Sequence, residues 1–247
     1  MKEWITGRNP VMEVLLAKRR QVFRLLLAAG VEEKGRVLEI IGLAEKNKIP
    51  LERVTRERLD RLGENPQGVA VEVSGYPYVD LADILEAAAA KGEDLFVLVL
   101  DVIQNPQNLG TLLRTAEAVG VHGVVMPQHR AAEVTPAVVI ASAGASEHML
   151  VAQGNLTRAL DQIKQAGAWV VGLAGEEGAL SPEQIPLNRP IAVVVGNEGE
   201  GIRPLVRQSC DYLLSLPMRG HIESLNAAVA GSIVLYQCLF SRMQRKV

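Results

Sequence analysis

Short apolar runs recur at regular intervals through the second part of the chain: Phe96–Leu100, Gly123–Met126, Met149–Ala152, Trp169–Leu173, Ile191–Val195 and Tyr212–Leu216. Each is nearly all apolar, the pattern of a strand covered on both faces. Segments of helical character lie between them: Leu109–Val119, Pro136–Ala143, Asn155–Ala166 and Ile202–Gln208. Strands alternating with helices predict a parallel sheet with helices on both sides. The first 75 residues read as a smaller α/β unit. Asn9-Pro10 is a cap and first-turn pair for a helix through Ala17. Val22–Ala28, Ile49–Val54 and Val69–Val73 read as strands, and Arg56–Leu62 as a short helix. Glu32–Asn47 has helical periodicity, with Val37, Leu38, Ile41 and Ala44 on one face. A Gly-Tyr-Pro-Tyr step at 75–78 punctuates the chain. The Ala-rich helix Leu81–Lys91 then serves as a linker or opens the next domain. The boundaries expected are 1–75, a linker over 76–93, and 94–247.

The last apolar strand leads into a Pro-Met-Arg-Gly turn at 217–220 and a helix opened by Ser224 or Asn226. Its body, Ala227–Phe240, is too apolar for a surface helix, so it is expected to be buried or packed on a partner. Composition narrows the class. There are 247 residues, 48% of them hydrophobic, room for one large or two small cores. Lys2, Glu3, Arg8, Glu13 and Lys18–Arg20 break any secretory pattern in the first twenty residues, and no apolar run reaches membrane-spanning length. Cys210 and Cys238 sit in apolar context without metal or redox spacing, as expected of reduced thiols in a cytoplasmic protein. The four His residues are scattered, and no metal site is expected. The net charge of −2 does not suggest a nucleic-acid binder, but its distribution is uneven. Residues 1–75 hold 14 basic and 11 acidic side chains, and 76–247 hold 12 and 17. Arg8, Lys18, Arg19 and Arg20 form the densest basic cluster, either a surface for an acidic partner or a solvated helix end.

Three unusual loops, at 101–108, 196–201 and 217–224, each follow the carboxyl end of a strand, where parallel sheets bind ligands. The second, Gly196-Asn-Glu-Gly-Glu-Gly201, has the order G-x-x-G-x-G, not the dinucleotide order, and its two acids oppose a phosphate cradle. It suits a cationic ligand, or polar contacts to hydroxyls and amides, or is simply a tight strand-to-helix turn. In the first, Asn108 and Arg114 lie near the start of a helix. Arg114 there can bind a phosphate bidentately or pair with Glu117 on its own helix. Ser224 and Asn226 bring small polar groups to a helix start, for a ligand or as caps.

The ordered trio NPQNLGTLLRTAEAVG, VVVGNEGEGI and LPMRGHIESLNAAVA resembles the signature motifs of the SpoU (TrmH-like) RNA ribose 2′-O-methyltransferases of the SPOUT superfamily. The resemblance covers residues from about 95 to the end. The N-terminal part is similar to that family's small substrate-binding domain, an L30e-like fold ending in an NPQGVAV segment. Two departures are Asn105, where the family commonly has Asp, and Ala227-Ala228, where Val-Ser is frequent.

The resemblance implies an α/β fold: a mostly parallel sheet with a deep trefoil knot, plus the L30e-like domain. It implies S-adenosylmethionine as cofactor, RNA as substrate and a homodimer packed through the C-terminal domain. By position it makes Arg114 the catalytic arginine, with Asn108, Glu198, Ser224 and Asn226 around the reacting ribose. Because an arginine stays protonated, Arg114 suits phosphate binding and alkoxide stabilisation better than proton removal. Glu198 is the residue type suited to take a proton or orient the ribose. Gly196, Gly199, Leu216, Leu225, Leu173 and Met218 are expected to line the cofactor pocket. Arg8, Lys18, Arg19 and Arg20 are expected to touch RNA. The two-domain layout looks most like the bacterial large-subunit rRNA guanosine 2′-O-methyltransferases. A tRNA methyltransferase of the same family, a resistance methyltransferase acting on rRNA and a non-catalytic ribosome-assembly factor are the rivals. A nicotinamide enzyme is disfavoured by the glycine order.

Overall fold

The structure, a computed structural model, describes residues 2–63, 65–175, 178–222 and 224–245. In chain order the first elements are β1 (Lys2–Thr6), α1 (Arg8–Ala17), β2 (Val22–Ala28), α2 (Arg36–Lys46), β3 (Leu51–Val54), α3 (Arg56–Asp60) and β4 (Val69–Ser74). Then come α4 (Leu81–Lys91), β5 (Phe96–Asp101), α5 (Pro106–Ala118), β6 (Gly123–Met126) and α6 (Pro136–Ala141). The run ends with β7 (Val151–Gln153), α7 (Leu156–Gln165), β8 (Trp169–Leu173), β9 (Ile191–Gly196), α8 (Pro204–Gln208), β10 (Tyr212–Leu214) and α9 (Ala227–Arg245). They form two compact units, 1–77 with 133–148, and 78–132 with 149–247.

The first unit is built on a mixed four-stranded sheet, order β1-β4-β2-β3. β1 pairs antiparallel with β4 although Lys2 and Glu3 hide its strand pattern; only Ile5 and Thr6 at its end are buried. α1 begins at Gly7, whose φ of 93° opens the turn, so Asn9 is inside the helix and not its cap. In α2 the buried positions are Val37, Ile40, Ile41 and Ala44, while Leu38 is 55% exposed. The expected face was therefore one residue out of phase at that point.

The segment 133–148, with α6, belongs to this first unit, although its helical pattern had placed it among the helices covering the parallel sheet. A buried ion pair explains the attachment. The Arg20 guanidinium donates to both carboxylate oxygens of Glu147, at 2.9 and 3.0 Å, and to Glu3 Oε2 at 2.7 Å. It also donates to the Ser74 carbonyl at 3.0 Å. Tyr76 Oη donates to the Ser146 carbonyl at 2.9 Å. Burial pushes the Tyr76 phenol up to about 12, so it stays a donor at neutral pH.

The second unit carries a six-stranded sheet, order β10-β8-β9-β5-β6-β7, with every pair parallel. α4 is part of its core: Ile84 and Ala88 are buried, and Ile84 packs where a Cβ on Gly123 would come within 2.5 Å. α9 packs on α5 and β9 in the middle of the sheet. Gly231 permits that approach, since a Cβ there would lie 2.7 Å from Leu112 and 3.0 Å from Val195. Arg242 fastens the far end of α9 by donating to the carbonyls of Asp94, Leu95 and Arg189. Among the described residues no helix is long and apolar enough to cross a membrane.

Candidate active site

The glycine loop after β9 is shaped by backbone contact. A Cβ on Gly196 would lie 2.2 Å from the Gly201 carbonyl carbon, so only glycine fits. Asn197 and Gly201 exchange two backbone hydrogen bonds of 3.1 Å. Asn197 Oδ1 accepts from the N–H groups of Gly199 and Glu200, at 2.7 and 2.8 Å. The loop is then anchored to the neighbouring strand. Asp101, wholly buried at the end of β5, accepts from Arg203 N at 2.7 Å and Arg203 Nε at 2.6 Å. Sequence reasoning passed over this pair. Its signal was an acid closing an otherwise apolar strand.

The loop after β5 starts α5, where Asn105 Oδ1 caps the helix by accepting from Gln107 N at 2.8 Å. One turn on, Asn108 Nδ2 donates to Glu198 Oε1. Asn226 Nδ2 donates to the same oxygen and contacts Asn108 Oδ1 at 3.2 Å. Asn226 is also the cap of α9, because its Oδ1 accepts from Ala228 N and Val229 N at 2.9 and 3.2 Å. Two amides, Asn108 at the start of α5 and Asn226 at the start of α9, thus converge on the single carboxylate that the glycine loop presents. Glu198 Oε2 takes no hydrogen bond among the described residues. An ionised carboxylate only accepts, so that oxygen is available to a hydroxyl.

Beside this cluster lies a cleft of about 740 Å3. Leu173, Gly196, Gly199, Leu216, Met218 and Leu225 all line it, with Glu198 and Ser224 at its polar side chains. Ser224 is thus a lining residue, and the capping is left to Asn226. A second cavity, of about 580 Å3, shares residues 197–201 as a wall and is lined by Asn105, Asn108, Arg130 and Arg203.

Arg114 is not brought to this cluster. It is exposed on α5 and pairs with no described residue, Glu117 included. Six residues separate it from Asn108, about one and two-thirds helical turns, so the two look in different directions. The basic cluster of the first unit also divides. Arg8 holds Gln67 through two hydrogen bonds of 3.1 and 3.2 Å, and Lys18 is exposed at the left-handed end of α1. Arg19 donates to Tyr76 Oη and the Pro77 carbonyl. Arg20, expected to meet RNA, has no exposed side-chain surface. It is a structural ion-pair partner, because a buried charge must be matched. Burial pushes the Cys210 and Cys238 thiols up to about 12, which removes them as nucleophiles at neutral pH. No group of three metal-ligating side chains exists among the described residues.

A parallel sheet whose carboxyl-edge loops frame an apolar cleft beside an amide-held carboxylate defines an α/β domain with a cleft suited to a partly apolar ligand. Comparison with known families specifies it. Residues 95–236 match the SpoU rRNA Methylase family, and residues 4–79 match the RNA 2′-O ribose methyltransferase substrate binding family. The chain belongs to the SpoU methylase family and is an RNA methyltransferase. A Bacillus subtilis relative named as a TrmH family tRNA/rRNA methyltransferase, YacO, is 40% identical over 95% of this chain and 94% of its own. The SpoU methyltransferase AviRb of Streptomyces viridochromogenes, solved in complex with AdoMet, has the same fold. Its TM-score is 0.81 at 24% identity, covering 98% of this chain and 91% of its own. An AdoMet-bound rRNA methyltransferase of Sinorhizobium meliloti superposes with TM-score 0.79 at 22% identity, over 96% of this chain and 86% of its own.

Proposed function

We propose that this protein methylates a ribose 2′-hydroxyl in RNA, on a guanosine of large-subunit rRNA, with S-adenosylmethionine as the donor. The observation that carries the reading is Glu198, presented by Asn108 and Asn226 at the side of an apolar cleft with one oxygen free. The cleft suits the cofactor. Leu173, Leu216, Met218 and Leu225 offer apolar walls for an adenine ring, and Gly196 and Gly199 let backbone approach closely. When bound there, the cofactor supplies an electrophilic methyl group on a sulfonium. The chain supplies the rest. Glu198 orients the attacking hydroxyl and accepts its proton. Asn108, Ser224 and Asn226 position ribose and phosphate by hydrogen bonds. Arg114, permanently charged, holds a phosphate and stabilises the alkoxide as it forms.

The rRNA preference rests on the two-domain layout, which the Sinorhizobium rRNA methyltransferase matches over 96% of this chain. Arg8 and Lys18 are the members of the basic cluster left to meet RNA. A homodimer belongs to the same reading. Val229, Ile233, Tyr236, Phe240 and Met243 form an exposed apolar stripe along α9, each 39–58% exposed, at steps of three and four residues. A second copy of the same stripe is the self-complementary cover a two-fold axis provides. The knot is supported by the path of the chain, which runs from edge strand β10 back to α9 on the central β9 and α5.

The test is methyl transfer from labelled S-adenosylmethionine to total rRNA and, separately, to total tRNA. Label at a ribose of large-subunit rRNA is expected. Label in tRNA alone overturns the substrate, and label in neither overturns the reading. Arg114→Ala should abolish transfer while cofactor affinity stays nearly intact.

A further inference from the structure

We propose that the second cavity, on the RNA side of the glycine loop, takes the target nucleotide extruded from its strand, with Arg203 and Arg130 gripping its phosphodiester. This rests on the reading of the first cleft as the cofactor site. The two spaces share the wall 197–201, and Glu198 lines both. A reactant in the second space therefore meets the carboxylate that faces the first. The volume, about 580 Å3, is in the range of a small-ligand pocket and suits one nucleotide rather than a duplex. A base inside a stack exposes no such unit, so the nucleotide must leave the stack to enter.

The lining chemistry points to the same occupant. Arg203 is held through Nε and its own N–H by the buried Asp101, so its guanidinium is oriented. Its two terminal nitrogens make no hydrogen bond among the described residues. Arg130 follows β6 and is exposed, and its side chain has no described partner. Its carbonyl accepts from Gln104 Nε2 at 3.3 Å, and Ala132 N donates to Ile103 O at 2.8 Å, which ties the β6 loop to the β5 loop. Two guanidiniums with free donors fit phosphate oxygens. Glu198 and Glu200 on the facing loop accept from hydroxyl and amino groups. A nucleotide carries both sets in one unit. A bare phosphate carries only the first and would meet two carboxylates.

The experiment uses the full chain and an unmodified large-subunit rRNA transcript. RNA affinity is measured by filter binding across a potassium chloride series, beside cofactor affinity and methyl transfer. Arg203→Gln and Arg130→Gln should each weaken RNA binding about tenfold, as loss of a charge-assisted hydrogen bond does. Each should lower the slope of log affinity against log salt by about 0.7 to 0.9. Cofactor affinity should stay within about twofold, a difference too small to reflect a lost contact. Arg130→Gln breaks no side-chain bond in the fold, so it stays informative if Arg203→Gln disturbs Asp101. Unchanged RNA affinity and salt slope in Arg130→Gln overturn the proposal, as does loss of cofactor binding with the slope unchanged. If the wild type binds RNA but transfers no methyl group, the function falls while the slope still tests the pocket.

Discussion

His122 stands at the start of β6, 5% exposed, between two elements of the parallel sheet. Its Nδ1 accepts from the Phe96 N–H at 3.0 Å, which fixes the tautomer, and Nε2 then donates to Glu93 Oε2 at 3.0 Å. Burial lowers the His122 pKa below its ordinary value of 6.5, despite the opposing pull of Glu93. The unfolded chain therefore binds this proton more readily than the folded one. Stability from this site is full above about pH 6.5 and is lost as pH falls through that value toward the folded pKa. Thermal melts between pH 5 and 7 should show the wild type losing stability faster than His122→Gln. Parallel curves would mean that His122 does not set the acid limb. Little of this was visible in the sequence, where four scattered histidines said only that no metal cluster was near. Glu198, Asn108 and Asn226 were legible because three motifs placed them on strand-end loops. Asp101 and Arg203 were not, because their partnership spans about a hundred positions and neither sits in a recognisable spacing.

At the scale of elements, strands buried on both faces were easiest to read. Gly123–Met126 and Trp169–Leu173 stand where unbroken apolar runs placed them. β1 escaped because it is an edge strand whose outer half is solvated. The segment 133–148 escaped because a helix pattern reports an apolar face without naming what covers it. Its attachment depends on Arg20 and Glu147, and this makes a strong prediction. Removing one member of a buried pair strands a charge. Arg20→Ala or Glu147→Ala should each cost about 3–5 kcal/mol. The double variant should cost much less than the sum, because no fully buried charge is then stranded and only the partly exposed Glu3 loses its partner. Urea unfolding of the three variants checks this. Additive losses would show that the two side chains act independently. The same pair explains why a cluster of basic residues in sequence was a poor guide to an RNA surface. Lys18 is exposed, Arg19 holds Tyr76 and Pro77, and Arg20 lies beneath them in the core.

For the whole molecule, the position of Arg114 and the stripe on α9 bear on one question. Arg114 is exposed on α5 and turned away from Glu198, yet the proposed function gives it a part in the reaction. α5 and α9 pack together, and Thr115, next to Arg114, contacts Ser232 at 2.9 Å on the helix that carries the apolar stripe. A two-fold dimer through that stripe brings the Arg114 of each copy toward its partner and offers a way to complete a site that one chain leaves open. The prediction is a complementation. Arg114→Ala and Glu198→Gln should each be inactive alone. Mixed after dissociation and reassociation, they should form heterodimers holding one site with both groups intact and one with neither. Random pairing makes half the dimers mixed, so activity should return to about a quarter of wild type. Phe240→Asp, which places a charge in the stripe, should leave the second unit folded by circular dichroism but shift the species to a monomer in light scattering. It should also prevent the recovery. If mixing restores nothing while dimers exchange freely, Arg114 serves its own chain's site, and α5 must turn when RNA binds.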